Sequence, residues 1–302
     1  MNAAVTASTV SDAAPAHSAA AVPASIFRAR ISVPPRRVFL AAGATLTAGV
    51  ALGAFGLRPA RAAVLPDVSR FTGAARARIE GDMLIVTTSC LPDHGSPYFR
   101  DTRYESYRYE DIQGRRPRFR QSPGVIEQRD MVFRIPLNPQ TGGAPMRTPM
   151  GPMGVAFNGV PFFNQYAGGG APLSHEAVSF DQYNGHPSPD GMYHYHVEPY
   201  ALTKRFGRDA LLGFLLDGHP VYGPLENGRL VTNADLDECH GHAHATRDYP
   251  DGVYHYHTTD EAPYIAGVGF RGQFQRRFRG ALNSAGVEIA YVEPVMCRTP
   301  AA

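Results

Sequence analysis

The sequence predicts a mainly β protein: a duplicated β-unit forming a sandwich or barrel-like domain with few short helices. Three observations carry that expectation. Gly and Pro, 31 and 26 of the 302 residues, interrupt the chain too often for long helices. The segments between them are short, and are either β-branched or alternate with the period of two that belongs to a strand. One such stretch occurs twice, as Asp190-Gly-Met-Tyr-His-Tyr-His196 and Asp251-Gly-Val-Tyr-His-Tyr-His257. In each, an Asp-Gly turn leads into a strand that sends both Tyr to one face and both His to the other.

The first 62 residues are set apart from this pattern. Residues 1–35 are mostly Ala, Ser, Val and Pro. Arg36-Arg37 then precedes an uncharged, Ala- and Gly-rich run ending at Leu57, and Arg58 and Ala60-Arg61-Ala62 follow. This resembles a twin-arginine export signal, with cleavage expected after Ala62. The run is too poor in large apolar residues to be a good membrane span, so no stable membrane anchor is expected after cleavage. The reading is a leader at 1–62 and a single β-rich domain at 63–302, delivered to the periplasm or secreted. The leader holds six of the 29 Lys+Arg and one of the 27 Asp+Glu, which leaves 23 basic against 26 acidic residues. That balance argues against nucleic acid as a partner.

Within the domain, strands are expected at 83–88, 130–137, 154–160, 176–181, 191–197, 212–221, 252–258 and 287–292. The one helix expected is short, at 199–206, with Pro at its start. Residues 98–120 are dense in Arg and Tyr and read as a surface excursion, and the Pro/Gly-rich stretch 138–154 reads as a loop. The pairs Asn158-Gly159 and Asp217-Gly218 read as turns. Met146, Met150 and Met153 read as packing residues.

The two Tyr-His-Tyr-His strands belong to a longer repeat, about 154–198 and 213–259. Gly154-Val-Ala-Phe-Asn-Gly-Val-Pro-Phe162 matches Gly213-Phe-Leu-Leu-Asp-Gly-His-Pro-Val221, and Asp181-Gln-Tyr-Asn-Gly-His186 matches Asp237-Glu-Cys-His-Gly-His242. Two copies are too few for a solenoid. A pseudo-two-fold relation is expected, with the functional site where the two units meet.

The chemistry lies in the histidines. His194, His196 and Glu198 fall on one strand face, as do His255, His257 and Thr259, and imidazole and carboxylate are transition-metal ligands. His186 and His242 occupy matching positions in the two copies. His240 and His244 lack counterparts and are weaker candidates, and His94 lies close to a strand end. Since a transition metal takes about four to six ligands, one His-x-His pair per copy falls short. The expectation is a single shared site of His194, His196, His255 and His257, tuned by His186 and His242. Copper is favoured over zinc, because imidazole suits both and the divalent affinity order favours copper.

Three cysteines, Cys90, Cys239 and Cys297, form no Cys-x-x-Cys, which excludes a thiolate zinc site of that kind and a thioredoxin motif. In an oxidising compartment one disulfide and one spare thiol are expected, with all three pairings open. No Gly-x-Ser-x-Gly elbow, P-loop or dinucleotide fingerprint is present.

The paired Tyr-His-Tyr-His strands occur with Gly-x-x-x-Asp-Gly-x-Pro-x-Tyr-Gly-Pro over 213–224 and with Leu236-Asp-Glu-Cys-His-Gly-His242. Leu91-Pro-Asp-His94, Pro263-Tyr-Ile-Ala-Gly267 and Phe270-Arg-Gly272 accompany them. Together these motifs resemble the YHYH domain family of exported bacterial proteins over most of 83–272. The resemblance also implies that a Cys commonly found in the family near Val268-Gly269 is missing here, and with it the usual partner of Cys239.

The function expected from these readings is a periplasmic metal-binding protein, with a metalloenzyme acting on an unknown small molecule left open. Oxidation and metal-assisted hydrolysis are both compatible with it, and no catalytic residue is singled out. The alternative is a glycan- or partner-binding module in which the His/Tyr strands are structural.

Overall fold

The structure, a computed structural model, describes residues 65–103, 105, 119–272, 275–282 and 288–295, with side chains described as far as Gly272. The expected leader with its Arg36-Arg37 pair, most of the 98–120 excursion, and Cys297 lie outside the described residues. Among the described residues no helix is long and apolar enough to cross a membrane.

The chain begins with β1 (Arg76–Glu80), β2 (Met83–Thr88), β3 (Met131–Pro136) and β4 (Thr141–Met146). The first repeat supplies β5 (Gly154–Ala156), β6 (Pro161–Phe162), β7 (Gly185–Pro187) and β8 (Tyr193–Tyr195), and α1 (Tyr200–Phe206) follows. The second supplies β9 (Leu211–Leu215), β10 (Pro220–Tyr222), β11 (Leu225–Glu226), β12 (Arg229–Leu230), β13 (Gly241–His244) and β14 (Val253–His257). The chain closes with β15 (Phe270–Gly272), β16 (Gln275–Leu282) and β17 (Glu288–Val295). These strands form a five-stranded sheet, β1-β2-β3-β17-β16, an eight-stranded sheet, β13-β14-β10-β9-β5-β6-β8-β7, and the small pairs β11-β12 and β4-β15. The protein is mainly β and sandwich-like, and none of these sheets closes into a barrel.

The local reasons are those of a half-buried sheet. β3 alternates buried and half-buried residues along its whole length, with Met131, Phe133 and Ile135 turned inward. Leu84 and Val86 of β2 join them in one apolar core with Val155, Phe157, Leu212 and Phe214 of the eight-stranded sheet. Tyr193, Tyr195, Tyr254 and Tyr256 belong to the same core, so the Tyr face of each repeated strand is the inward one. α1 begins after Pro199, carries Lys204 and Arg205 in its last turn, where cations favour the helix dipole, and stops at Gly207 with φ of 103°.

The order of the eight-stranded sheet reads the same from either end once each strand is replaced by its repeat counterpart. β5 and β9 pair antiparallel at its centre. Each repeat then runs outward through β6 or β10, which pairs in parallel with β8 or β14. It ends in an antiparallel pair, β7-β8 or β13-β14. The central seam is tight: a Cβ on Gly213 would lie 2.2 Å from the Val155 carbonyl oxygen, and one on its counterpart Gly154 would lie 2.4 Å from that of Phe214. No side chain fits between the two units there.

Three expectations need correction. Residues 176–181 are not a strand: Leu173–His175 and Ala177–Ser179 are successive 3-10 turns. The Glu176 carbonyl accepts from both the amide and the hydroxyl of Ser179, at 2.8 and 2.7 Å, and that local bonding competes with a sheet ladder. Residues 212–221 are two strands, β9 and β10, divided by the Asp217-Gly218 turn that the sequence marks. The stretch 138–154 is not all loop, because β4 pairs with β15. Cys90 and Cys239 are both free and buried, so they are not bonded to each other.

Candidate metal centres

Each repeat builds its own histidine cluster, at its own end of the eight-stranded sheet. Four strands separate β8 from β14, which at about 4.8 Å per strand places them roughly 24 Å apart. His194 and His196 therefore cannot share an ion with His255 and His257. The shared centre expected from the sequence is not formed, and the seam expected to hold it is apolar core. The six histidines expected as ligands divide into His186, His194 and His196 on one side and His242, His255 and His257 on the other.

In the first cluster, His186 on β7 stands opposite His194 on β8, and His196 follows one alternation later. Their Nε2 atoms converge: His186 to His194 is 3.1 Å and His194 to His196 is 2.9 Å. Glu176 brings Oε2 to 3.6 Å from His186 Nε2 and 3.9 Å from His196 Nε2. The rings are held from behind. His194 Nδ1 donates to the Met192 carbonyl at 2.9 Å and His196 Nδ1 to the Asn164 carbonyl. His186 Nδ1 lies 2.7 Å from Ser179 Oγ, whose own hydrogen goes to the Glu176 carbonyl. Phe163 stacks on His194 with ring centroids 3.9 Å apart.

Carbonyl oxygens only accept, so each Nδ1 carries the hydrogen, and a neutral ring then presents a bare lone pair at Nε2. Three such lone pairs, with that of His194 near 3 Å from both others, repel one another unless a cation lies among them. A proton is a poor candidate. Desolvation holds His186 at about 3 and His196 at about 4, and His194 well below the imidazole range, with neighbouring imidazoles adding to the effect at His186 and His194. Backbone-fixed Nδ1–H tautomers with converging Nε2 atoms are the outer-shell arrangement of metal-binding imidazoles.

The second cluster repeats the plan. His242 on β13 stands opposite His255 on β14. His255 Nδ1 donates to the Val253 carbonyl at 3.0 Å and His257 Nδ1 to the Gly223 carbonyl at 2.7 Å. The backbone of Asp235 serves His242. These three partners are the repeat counterparts of Met192, Asn164 and Ser179. Burial again lowers the imidazoles, His255 to about 3 and His257 to about 4. Their Nε2 atoms are buried with no hydrogen-bond partner. Both face Glu226 Oε1, at 3.8 and 3.7 Å. His244 adds a further ring, with Nε2 3.2 Å from that of His242 and 2.8 Å from Glu226 Oε1. Two groups with the ligand atoms to hold a metal ion result: His186, His194 and His196, and Glu226, His242, His244 and His255, with His257 adjoining the second.

The remaining candidates do other work. Glu198 turns away from the first cluster and forms a two-pronged ion pair with Arg208, at 3.0 and 2.7 Å. His240 bonds Asn233 and Thr259, both at 3.0 Å. His94 lies on the Tyr side, 3.1 Å from the Tyr195 hydroxyl. The tyrosines are pinned by repeat-equivalent groups: Tyr193 by Asp181 and Tyr254 by Asp237, Tyr195 by Asn158 and Tyr256 by Asp217. Glu176 and Glu226 were not expected as ligands. They occupy non-equivalent positions in the two copies, so no repeat-based argument points to them. His244 was discounted for the same reason.

The fold and these sites define a class: a β-rich protein with two histidine clusters able to hold a metal ion, the first buried and the second partly exposed. Residues 132–229 and 225–272 match the family model described as YHYH protein, and the region 132–272 of the chain belongs to that family. No curated protein and no solved structure matches the chain.

Proposed function

We propose that this is an exported, periplasmic metal-binding protein in which each repeat holds its own transition-metal ion. The observation that carries the reading is the convergence of Nε2 lone pairs whose tautomers are fixed by backbone carbonyls and, at His186, by the Ser179 hydroxyl oxygen. His186, His194, His196 and Glu176 would hold the first ion, and His242, His244, His255, His257 and Glu226 the second. Copper is favoured over zinc on the divalent affinity order, since thiolate and thioether groups are not among the ligands named. The export reading rests on the twin-arginine-like leader and the resemblance to exported YHYH proteins.

Protein purified without a histidine tag should retain a stoichiometric transition metal. With free metal held at a thousand times the dissociation constant, one site contributes about 4 kcal/mol of stability. A strong chelator should then lower Tm by roughly 8–16 °C for each centre it empties in a domain of this size. Metal-free protein whose Tm is indifferent to added copper or zinc would favour the binding-module alternative, with the histidines serving structure only.

A further inference from the structure

The two centres differ at one repeat-equivalent position. In the second repeat His244 lies two residues beyond His242 and is paired in register with Val253 of β14. In the first, the position two residues beyond His186 is Ser188, whose amide bonds the carbonyl of Met192, the counterpart of Val253, at 3.0 Å. Period two puts Ser188 on the face of His186, as it puts His244 on the face of His242. One repeat thus brings an imidazole to the cluster where the other brings a short hydroxyl. That hydroxyl is engaged with Asp190 and the Met192 carbonyl.

Ser188 lines a cavity of about 410 Å3 that also reaches His186, His194, His196 and Glu176. The cavity that His255 and His257 line at the second centre is about half as large, about 200 Å3, with Asp209, Glu226, Arg247 and Asp248 in its walls. His244 also borders a cavity of about 450 Å3, which no other ligand of that centre lines. Metal centres that do chemistry keep a coordination position open to a small molecule, whereas structural centres are filled by protein ligands. By that rule the first centre, with three imidazoles, keeps open the position that His244 fills in the second.

The wall of the larger cavity indicates what would enter. Phe163, Met150 and Tyr166 line it, and Met150 and Tyr166 are 51% and 43% exposed, unusual for large apolar residues here. Arg120 lines it as well. A divalent ion among neutral imidazoles with one nearby carboxylate, Glu176, leaves net positive charge, to which the guanidinium adds. We propose that the first-repeat centre binds a small organic carboxylate with an apolar, aromatic body. Its carboxylate takes the metal position that His244 fills in the other repeat, and its body lies against Phe163, Met150 and Tyr166. This rests on the metal reading above and deepens it.

The test is a benzoate titration of copper(II)-loaded protein, followed by electron paramagnetic resonance with copper content measured on the same samples. In the His255→Ala/His257→Ala variant, which keeps the first centre, benzoate should shift the copper spectrum saturably. In the His194→Ala/His196→Ala variant, which keeps the second, it should change nothing. Arg120→Gln should weaken the benzoate effect about tenfold or more, as expected for loss of a charged hydrogen-bond partner. Ser188→His should abolish it while copper is retained, and Ser188→Ala should preserve it. Copper held at the first centre with a spectrum indifferent to benzoate overturns this inference and leaves the metal reading standing. An equal response at both centres also overturns it. Absence of bound copper at both centres overturns the two together.

Discussion

Acidification from pH 7 to pH 4 is expected to remove several kcal/mol of folding stability and to strip the bound metal. The cause is the set of buried neutral imidazoles. Desolvation holds His186 and His255 at about 3 and His196 and His257 at about 4, while in the unfolded chain each titrates near 6.5. Folded-state values are depressed, so their contribution is fully present above about pH 6.5. It declines as pH falls toward the folded values, because the unfolded chain binds protons that the folded one refuses. Each such imidazole tilts stability by up to about 1.4 kcal/mol per pH unit, so even two of them give roughly 3 kcal/mol per unit. A bound metal, which also requires neutral imidazole, steepens the fall. Urea denaturation at pH 7.5, 6, 5 and 4.5, with and without metal, measures it. Stability that is level from pH 7 to pH 5 would show that these imidazoles are not held neutral by the fold.

The Asp217→Ala variant should be destabilised by roughly 3–5 kcal/mol, the cost of leaving several buried donors unpaired. Asp217 is 2% exposed and accepts from the Tyr256 hydroxyl at 2.6 Å, the Gly272 amide at 2.9 Å and the His219 amide at 3.2 Å. Tyr256 lies between His255 and His257 on β14, so the same change should loosen the second centre and leave the first, four strands away, unaffected. Chemical denaturation and metal content report the two effects separately. A loss below about 1 kcal/mol would mean that water replaces the carboxylate at this corner.

Much of this fold is legible in the chain. β2 and α1 fall where the β-branched run and the Pro-started segment put them. The alternation of Tyr and His marks which face is core and which carries ligands. The repeat offsets anticipate a two-fold sheet. What the sequence hides is which end of each repeat meets the other. The antiparallel pairing of β5 with β9 joins the units through Gly154 and Gly213, whose role is close approach and leaves no periodic trace. That pairing sends the histidines to opposite ends and turns one expected centre into two. The acids are hidden for a different reason. Glu176 lies on a turn that reads as a strand, and Glu226 lies in the β11-β12 hairpin, where the corresponding bridged segment of the first repeat has Ala167. The ligand set is therefore completed by tertiary placement, which copy-to-copy comparison does not reach. Glu198 looks like a ligand by strand parity, but Arg208 ten residues on takes it instead.

The most direct test of the two-centre account is metal stoichiometry across paired variants. Wild-type protein should bind two transition-metal ions per chain. The His194→Ala/His196→Ala variant should bind one, and the His255→Ala/His257→Ala variant should bind one. The quadruple variant should bind none. If either double variant loses all its metal while remaining folded, the histidines act as one shared centre and the arrangement described here is wrong.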